Sequence, residues 1–341
     1  MSQKTAIPPM SERDRRLVAA LQCAGRVTAE RAAAVLGYGV RDVHRRLKAL
    51  TGDGSVRVLG RLARGTSAGT AAGTGAMLLR IRVLRGKVDV ITSALAARED
   101  IPFIDISAGG DEISAVLLPS ADPSNPPVFQ QLPATNAVTS VTAQTVLHVY
   151  ADSSDWRLDA LTADERAALT PAAPEAAPSG SPNRVWDRVL DGTDEAIASA
   201  LEDDGRRSAT AVAERTGIAE STVRRRLAAL LSQRLLITEV AVDPRRLGLG
   251  VDANILMEVP PDHLDATGRA LAAHPAVHGA LATTGKANLY LAVWLRDADE
   301  LYRFLTRELS GRSVSSTETV LVGRAVKRPG RGPHRRINAL R

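Results

Sequence analysis

Aromatic residues make up only 3% of this 341-residue chain, although 44% of it is hydrophobic. Its cores must be built from Ala, Leu, Val and Ile, and the composition argues against a stacking platform for single-stranded nucleic acid. A single cysteine, Cys23, excludes disulfide frameworks and cysteine zinc sites and points to a reducing cytoplasm. No apolar run approaches the roughly 18 residues of a membrane span. The opening MSQKTAIPPM lacks the apolar stretch of a signal peptide. A soluble, cytoplasmic protein without a membrane partner is expected. Signatures of catalysis are missing as well: there is no nucleophile elbow, P-loop or HExxH, and no cofactor is expected. His274 and His278 invite a metal reading, but Pro275 breaks the helix that i, i+4 ligation needs and no third ligand is near.

Acidic residues are absent from Arg324 to Arg341, where seven basic ones stand. The net charge is +6, so residues 1–323 sum to −1. Any argument for nucleic acid must rest on local clusters.

One such cluster is written twice. RDVHRRLKAL (41–50) and STVRRRLAAL (221–230) share Val, the arginine pair, Leu, Ala and Leu at an offset of 180. Asp14, Leu21, Gly25, Arg26 and Gly37 recur at the same offset as Asp194, Leu201, Gly205, Arg206 and Gly217. Further on, LLRIRV (78–83) parallels ILMEVP (255–260), and TVL (145–147) parallels TVL (319–321). The order A–B–A′–B′ reads as two copies of a two-part module. Gly/Ala/Thr-rich 64–76 and Pro/Ala-rich 170–183 read as linkers. A short helix with a Thr162–Glu165 capping box precedes the second linker.

Part A reads as three helices. In the second copy Asp191 caps the first, Gly205 ends it as a C′ glycine, Ser208 caps the second and Gly217 makes the turn. In the first copy Ser11 and Asp14 form the opening capping box. Val223, Leu227 and Leu230 give the third helix one buried face. Its other positions carry Ser221, Thr222, Arg224 and Arg225; the first copy presents Arg41, His44, Arg45 and Lys48. A short helix, a glycine turn and a donor-bearing helix make a helix-turn-helix. Hydroxyls and the helix N-terminus suit phosphates, and arginine suits guanine. Arg46 and Arg226 could instead brace the domain against Asp14 and Asp194. The strand LLITEVAV (235–242) suggests a wing.

Part B reads strand–helix–strand–strand–helix–strand, the ferredoxin-like arrangement. Its uncovered sheet face must pair with a second B unit. In the first copy three prolines in 122–132 spoil the second helix. The fold class expected is α+β, with two winged helix-turn-helix domains alternating with two βαββαβ domains. The boundaries are 11–62, 77–150, a helix and linker at 151–185, 186–243, 251–323 and a basic tail at 324–341. The tail could add non-specific phosphate affinity.

Residues 190–250 resemble the N-terminal half of Lrp/AsnC (feast/famine) transcription regulators, through the leader with Asp191 and Asp194 and the Ser-Thr-Val-Arg-Arg-Arg helix. The following B unit resembles their RAM-type effector-binding domain, and 11–150 resembles the family more weakly, as in a tandem member. The resemblance implies double-stranded DNA as partner, B sheets packed back to back, homo-oligomers, and an amino acid or related small molecule as effector. The family's Gly-Asp-x-Asp-Tyr-like loop aligns with Gly285, Lys286, Ala287, Asn288 and Leu289, beside Thr284. In the first copy it aligns with Gly110, Asp111, Glu112 and Ile113. Lys286 and Asn288 replace the acids, which departs from sensing of a free amino acid. Ala219 replaces the usual Ser cap, with Glu220 or Ser221 available to compensate. The expected function is a sequence-specific DNA-binding regulator rather than an enzyme, with the two B units of one chain pairing. The alternatives are a sirohaem-decarboxylase-like enzyme on the same fold, with His148, His278, Tyr290 and Lys286 as candidates, and a ligand sensor acting through protein partners.

Overall fold

A computed structural model describes residues 9–62, 75–118, 136–153, 156–170 and 190–328. Most of both expected linkers, the proline-rich 122–132 and residues 329–341 of the expected tail lie outside these. In chain order come α1 (Glu12–Cys23), α2 (Ala29–Leu36), α3 (Val40–Gly52), β1 (Val56–Leu62), β2 (Met77–Val83), α4 (Val88–Ala96), β3 (Phe103–Ser107), β4 (Glu112–Leu117) and β5 (Val138–Ala151). Then follow α5 (Ala163–Leu169), α6 (Gly192–Ser199), α7 (Ala209–Thr216), α8 (Glu220–Ser232), β6 (Leu236–Val242), β7 (Val251–Glu258), α9 (Pro261–Ala272), β8 (Val277–Thr283), β9 (Leu289–Leu295), α10 (Ala298–Arg303) and β10 (Ser316–Lys327). Among the described residues no helix is long and apolar enough to cross a membrane. The chain forms two compact units, each drawn from both halves: Met1–Gly65 with Arg157–Leu247, and Thr66–Trp156 with Gly248–Arg341.

In the first unit, α1–α2–α3 and α6–α7–α8 repeat one arrangement. Val43, Leu47 and Leu50 are buried on α3, and Val223, Leu227 and Leu230 on α8. Gly37 and Gly217 end the second helices at φ 69° and 73°, a left-handed conformation that glycine adopts without steric cost. Ser11, Asp191 and Ser208 each accept the expected cap bond. Only half of the Ser11 box forms: the Asp14 carboxylate takes the Ser11 hydroxyl at 2.6 Å and Arg46 at 2.9 Å. The Thr162–Glu165 box is complete.

Two expectations change here. β6 makes no hairpin wing; it pairs antiparallel with β1 over seven residues, from Val56 opposite Val242 to Leu62 opposite Leu236. Gly205 is not a left-handed cap, being absent from the positive-φ glycines. A Cβ there would stand 2.8 Å from the Leu59 carbonyl carbon, because the backbone of β1 runs against it. The Gly205 N–H donates to Val58 O at 2.6 Å, and the Gly60 N–H to Leu201 O at 2.8 Å. Close approach of β1, not a turn, makes this glycine necessary.

In the second unit all eight strands close one antiparallel barrel in the order β10-β3-β4-β2-β5-β8-β9-β7. Each half keeps the fourth-first-third-second order of a split βαβ sheet, and each fourth strand also pairs with the other half: β5 with β8, β10 with β3. Outward of the barrel, Leu79, Ile81, Leu95 and Ile113 pack in one core and Ile255, Leu271, Leu291 and Phe304 in another. Inside it, Leu78 of the first half packs with Leu256, Tyr290 and Ala292 of the second. β10 runs four residues past the expected boundary at 323. Lys327 donates to the carbonyls of Ala96 and Arg98, so residues 324–328 are strand and its continuation rather than tail.

Candidate functional site

Helices α3 and α8 carry the DNA-reading candidates. Arg41, His44, Arg45 and Lys48 are exposed on α3; Ser221, Arg224 and Arg225 are exposed on α8 and Thr222 is half-buried. Neither helix has a side-chain cap: Gly39 and Ala219 stand at the N-cap with no capping hydrogen bond, so Glu220 and Ser221 do not compensate. Their first N–H groups are left to an outside acceptor, and phosphate oxygen suits them in both charge and geometry.

The two faces differ electrostatically. Asp42 of α3 stands where α8 has Thr222. It pairs with Arg46 at 3.0 Å, with Arg45, and with Arg13 of α1 at 3.6 Å. Hydrogen bonds from Arg46 and then Arg45 hold its carboxyl below the ordinary aspartate range. On α8 the acid is two residues earlier, where Glu220 pairs with Arg224, and Arg225 is exposed. A groove of about 480 Å³ beside α3 brings His44 and Lys48 alongside Glu30, Arg26 and Arg206.

Arg46 and Arg226 are braces. Arg46 bonds Asp14 at 2.9 Å; Arg226 bonds Asp191 at 2.8 Å and the fully buried Asp194 at 3.3 Å. Residues to which the sequence assigned no role join the α1–α2 and α6–α7 segments. The Arg26 guanidinium donates to the carbonyls of Gly205 and Arg207, and that of Arg206 to Gly25 and Val27 at 2.6 and 3.0 Å. A Cβ on Gly25 would stand 2.4 Å from Thr238 Oγ1 of β6. The recurrence of Gly-Arg at an offset of 180 was the signal: each pair clasps the other.

The effector-loop candidates divide. Asn288 is spent on the sheet, accepting from the Val259 N–H at 2.9 Å and donating to Val259 O at 2.8 Å. Thr284 Oγ1 accepts from the Thr145 N–H at 2.9 Å, while Gln144 of β5 donates to the carbonyls of Thr284 and Ala287. Gly285 has φ 98° and lies against Gln144, where a Cβ would be 2.7 Å from Nε2. Lys286 is exposed, 3.8 Å from Glu258. In the first half Gly110 turns at φ 72°, and exposed Asp111 accepts from Ser107 Oγ at 3.1 Å. Glu112 is buried and pairs with Arg80 at 2.8 Å. The last strand of each half backs the loop of the other. The Thr284 N–H donates to Thr145 O, and the Ala108 N–H to Leu321 O.

Residues 190–231 match the AsnC-type helix-turn-helix domain, and residues 252–331 match the Lrp/AsnC ligand binding domain. The chain is 35% identical over 151 residues to the HTH-type transcriptional regulator AldR of Mycolicibacterium smegmatis, covering 42% of this chain and 86% of AldR. It is 30% identical over 135 residues to an uncharacterised HTH-type transcriptional regulator of Pyrococcus horikoshii, PH0140, covering 39% of this chain and 85% of that protein. In fold, 95% of the chain aligns with 94% of the siroheme decarboxylase NirDL, in a complex with an iron-uroporphyrin III analogue, at a TM-score of 0.56 and 17% identity. At that identity the likeness is one of fold alone. The domain matches and the named relatives agree: the chain belongs to the Lrp/AsnC family of transcriptional regulators.

Proposed function

We propose that this transcriptional regulator is a tandem member of its family, in which one chain supplies both helix-turn-helix units of a DNA-reading pair. The observation that carries the reading is the joint in the first unit. The β1–β6 ladder and the reciprocal Arg26 and Arg206 clasps fix two outward-facing basic helices in one body. Arg41, His44, Arg45 and Lys48 would read one half-site. Ser221, Thr222, Arg224 and Arg225 would read the other. Unlike edges on like scaffolds favour an asymmetric operator, with half-sites about 34–36 Å apart or a multiple of that.

The effector reading is narrower. With Asn288 and Thr284 committed to backbone contacts, an effector at the loops would meet Gly285, Lys286, Gly110 and Asp111. A basic group at 286 in place of an acid favours a ligand with a free carboxylate over one recognised by its amino group.

A competition gel shift with the DNA upstream of the protein's own coding region tests the main reading. At moderate salt the native fragment should outcompete random DNA by at least about 10³-fold. Equal competition would sink it. The fold shared with NirDL motivates a second assay, the absorbance of added sirohaem. His148 packs edge-on against Tyr150, while His278 and Tyr290 are buried and Lys286 is exposed. The regulator reading expects no spectral change or turnover.

A further inference from the structure

One short stretch is written twice, and the structure describes one of the two. Arg157-Leu158-Asp159-Ala160-Leu161 recurs as Arg336-Ile337-Asn338-Ala339-Leu340, at an offset of 179 that continues the 180 of the helices. Three residues are identical, Ile replaces Leu and Asn replaces Asp, so the repeat extends past the last strand of each half. Residues 336–340 lie outside the described residues.

The first stretch has a defined place on the first helix. The Leu158 N–H donates to Gln22 Oε1 of α1 at 2.8 Å, and Leu161 is 8% exposed. The helix that follows, α5, packs on α1 and α2. Arg16 holds it through Glu165, and Arg31 through the Ala168 carbonyl at 2.8 Å. Ala19 and Gln22 of α1 are only 2% and 8% exposed, and α1 runs on to Cys23.

The matching face of the second half is open. Ser199 and Glu202 stand where Ala19 and Gln22 do, and both are exposed. Helix α6 ends at Ser199, whereas the residue that matches Cys23 is Asp203. The chain goes on in tight turns, Leu201 N–H to Ala198 O and Glu202 N–H to Ser199 O. The anchors of α5 are not repeated, since Ala196 and Ala211 replace Arg16 and Arg31. The acceptor for the stretch before α5 is: Glu202 has the length of Gln22 and the same side-chain oxygen. Charge adds to the match. Glu195 is exposed on the same side, at i, i+4, i+7 with Ser199 and Glu202, while 329–341 holds four arginines and no acid. The link from the TVL of the last strand is five residues longer than in the first half, so the segment has at least the reach of its counterpart.

We propose that residues 336–340 dock on the Ser199–Glu202 face of α6. The Ile337 N–H donates to the Glu202 carboxylate, and Leu340 covers α6 as Leu161 covers α1. The inference rests on the tandem reading, and it makes the occupant of this face a segment of the chain itself rather than nucleic acid.

Hydrogen exchange on the full chain without DNA tests it, against a double variant, Ile337→Ser with Leu340→Ser, that keeps every arginine. The wild type should protect the amides of residues 199–203, and the double variant should exchange them at least about tenfold faster, with α1 and the barrel unchanged. Glu202→Ala should speed the same amides. Equal exchange in the wild type and the double variant would overturn the docking. So would weaker DNA binding by the double variant with no change in exchange, which would give the segment to the nucleic acid. Protected amides beside a failed gel shift would uphold the docking and count against the DNA reading alone.

Discussion

Neighbouring arginines on one helix have opposite jobs. Arg225 is exposed on α8, whereas Arg226 bonds Asp191 and buried Asp194. Arg225→Ala should change stability by less than about 0.5 kcal/mol while lowering DNA affinity. Arg226→Ala removes the guanidinium from a buried carboxylate and should cost about 2–4 kcal/mol. Denaturant midpoints and gel shifts on both variants check the split; equal stability would contradict it. In the sequence both arginines recur at the same offset, so recurrence alone could not sort them. The aspartates that pair with Arg46 and Arg226 lie 32 residues away; the sequence offered these braces as one alternative, and the packing of the first helix against the third decides for it. Gly205 was misread for a similar reason. A glycine after a helix most often marks a left-handed cap, and the strand that runs against this one is 145 residues distant.

At the scale of elements, α3 and α8 share a buried stripe and differ outside it. Asp42 draws Arg45 and Arg46 onto itself and sets a negative charge where phosphate would approach. Asp42→Thr gives α3 the residue of α8 and should tighten binding to the α3 half-site several-fold, with little change at the other. A binding-site selection on both proteins would show it. The βαββαβ order was legible from strand-sized apolar runs, and the pairing of B with B′ from the need to cover a sheet face. The exchange of β5 and β10 was not, because an edge strand carries no mark of its second partner. The histidines of β8 and the turn before it give a pH prediction. Burial lowers the pKa of both His274 and His278 below the ordinary 6.5. The unfolded chain therefore takes up protons first. Stability should be full above about pH 6.5 and fall as pH drops below it. Melting temperatures between about pH 5 and 8 test this, and His278→Asn should flatten part of the slope.

At the scale of the whole molecule, the proposed tandem reading makes a contact between copies one within a chain. The β1–β6 ladder and the two arginine clasps join residues about 180 apart, and the Gly25 and Gly205 approaches bring further distant segments together. Tethering raises the effective concentration of the second reading helix, so one chain should occupy both half-sites. Native mass spectrometry of the protein on its footprinted operator should give one chain per site; an obligatory second chain would contradict the tandem reading. Replacing Arg26 and Arg206 together by alanine leaves four carbonyls without these donors but keeps the ladder. That variant should bind an isolated half-site nearly as well as the wild type and lose most of its preference for the full operator. If deleting 329–341 also lowers the salt slope of binding, the basic tail adds phosphate contacts. The deletion must begin after Arg328, because Arg328 holds Asp105 and Asp252 together inside the barrel.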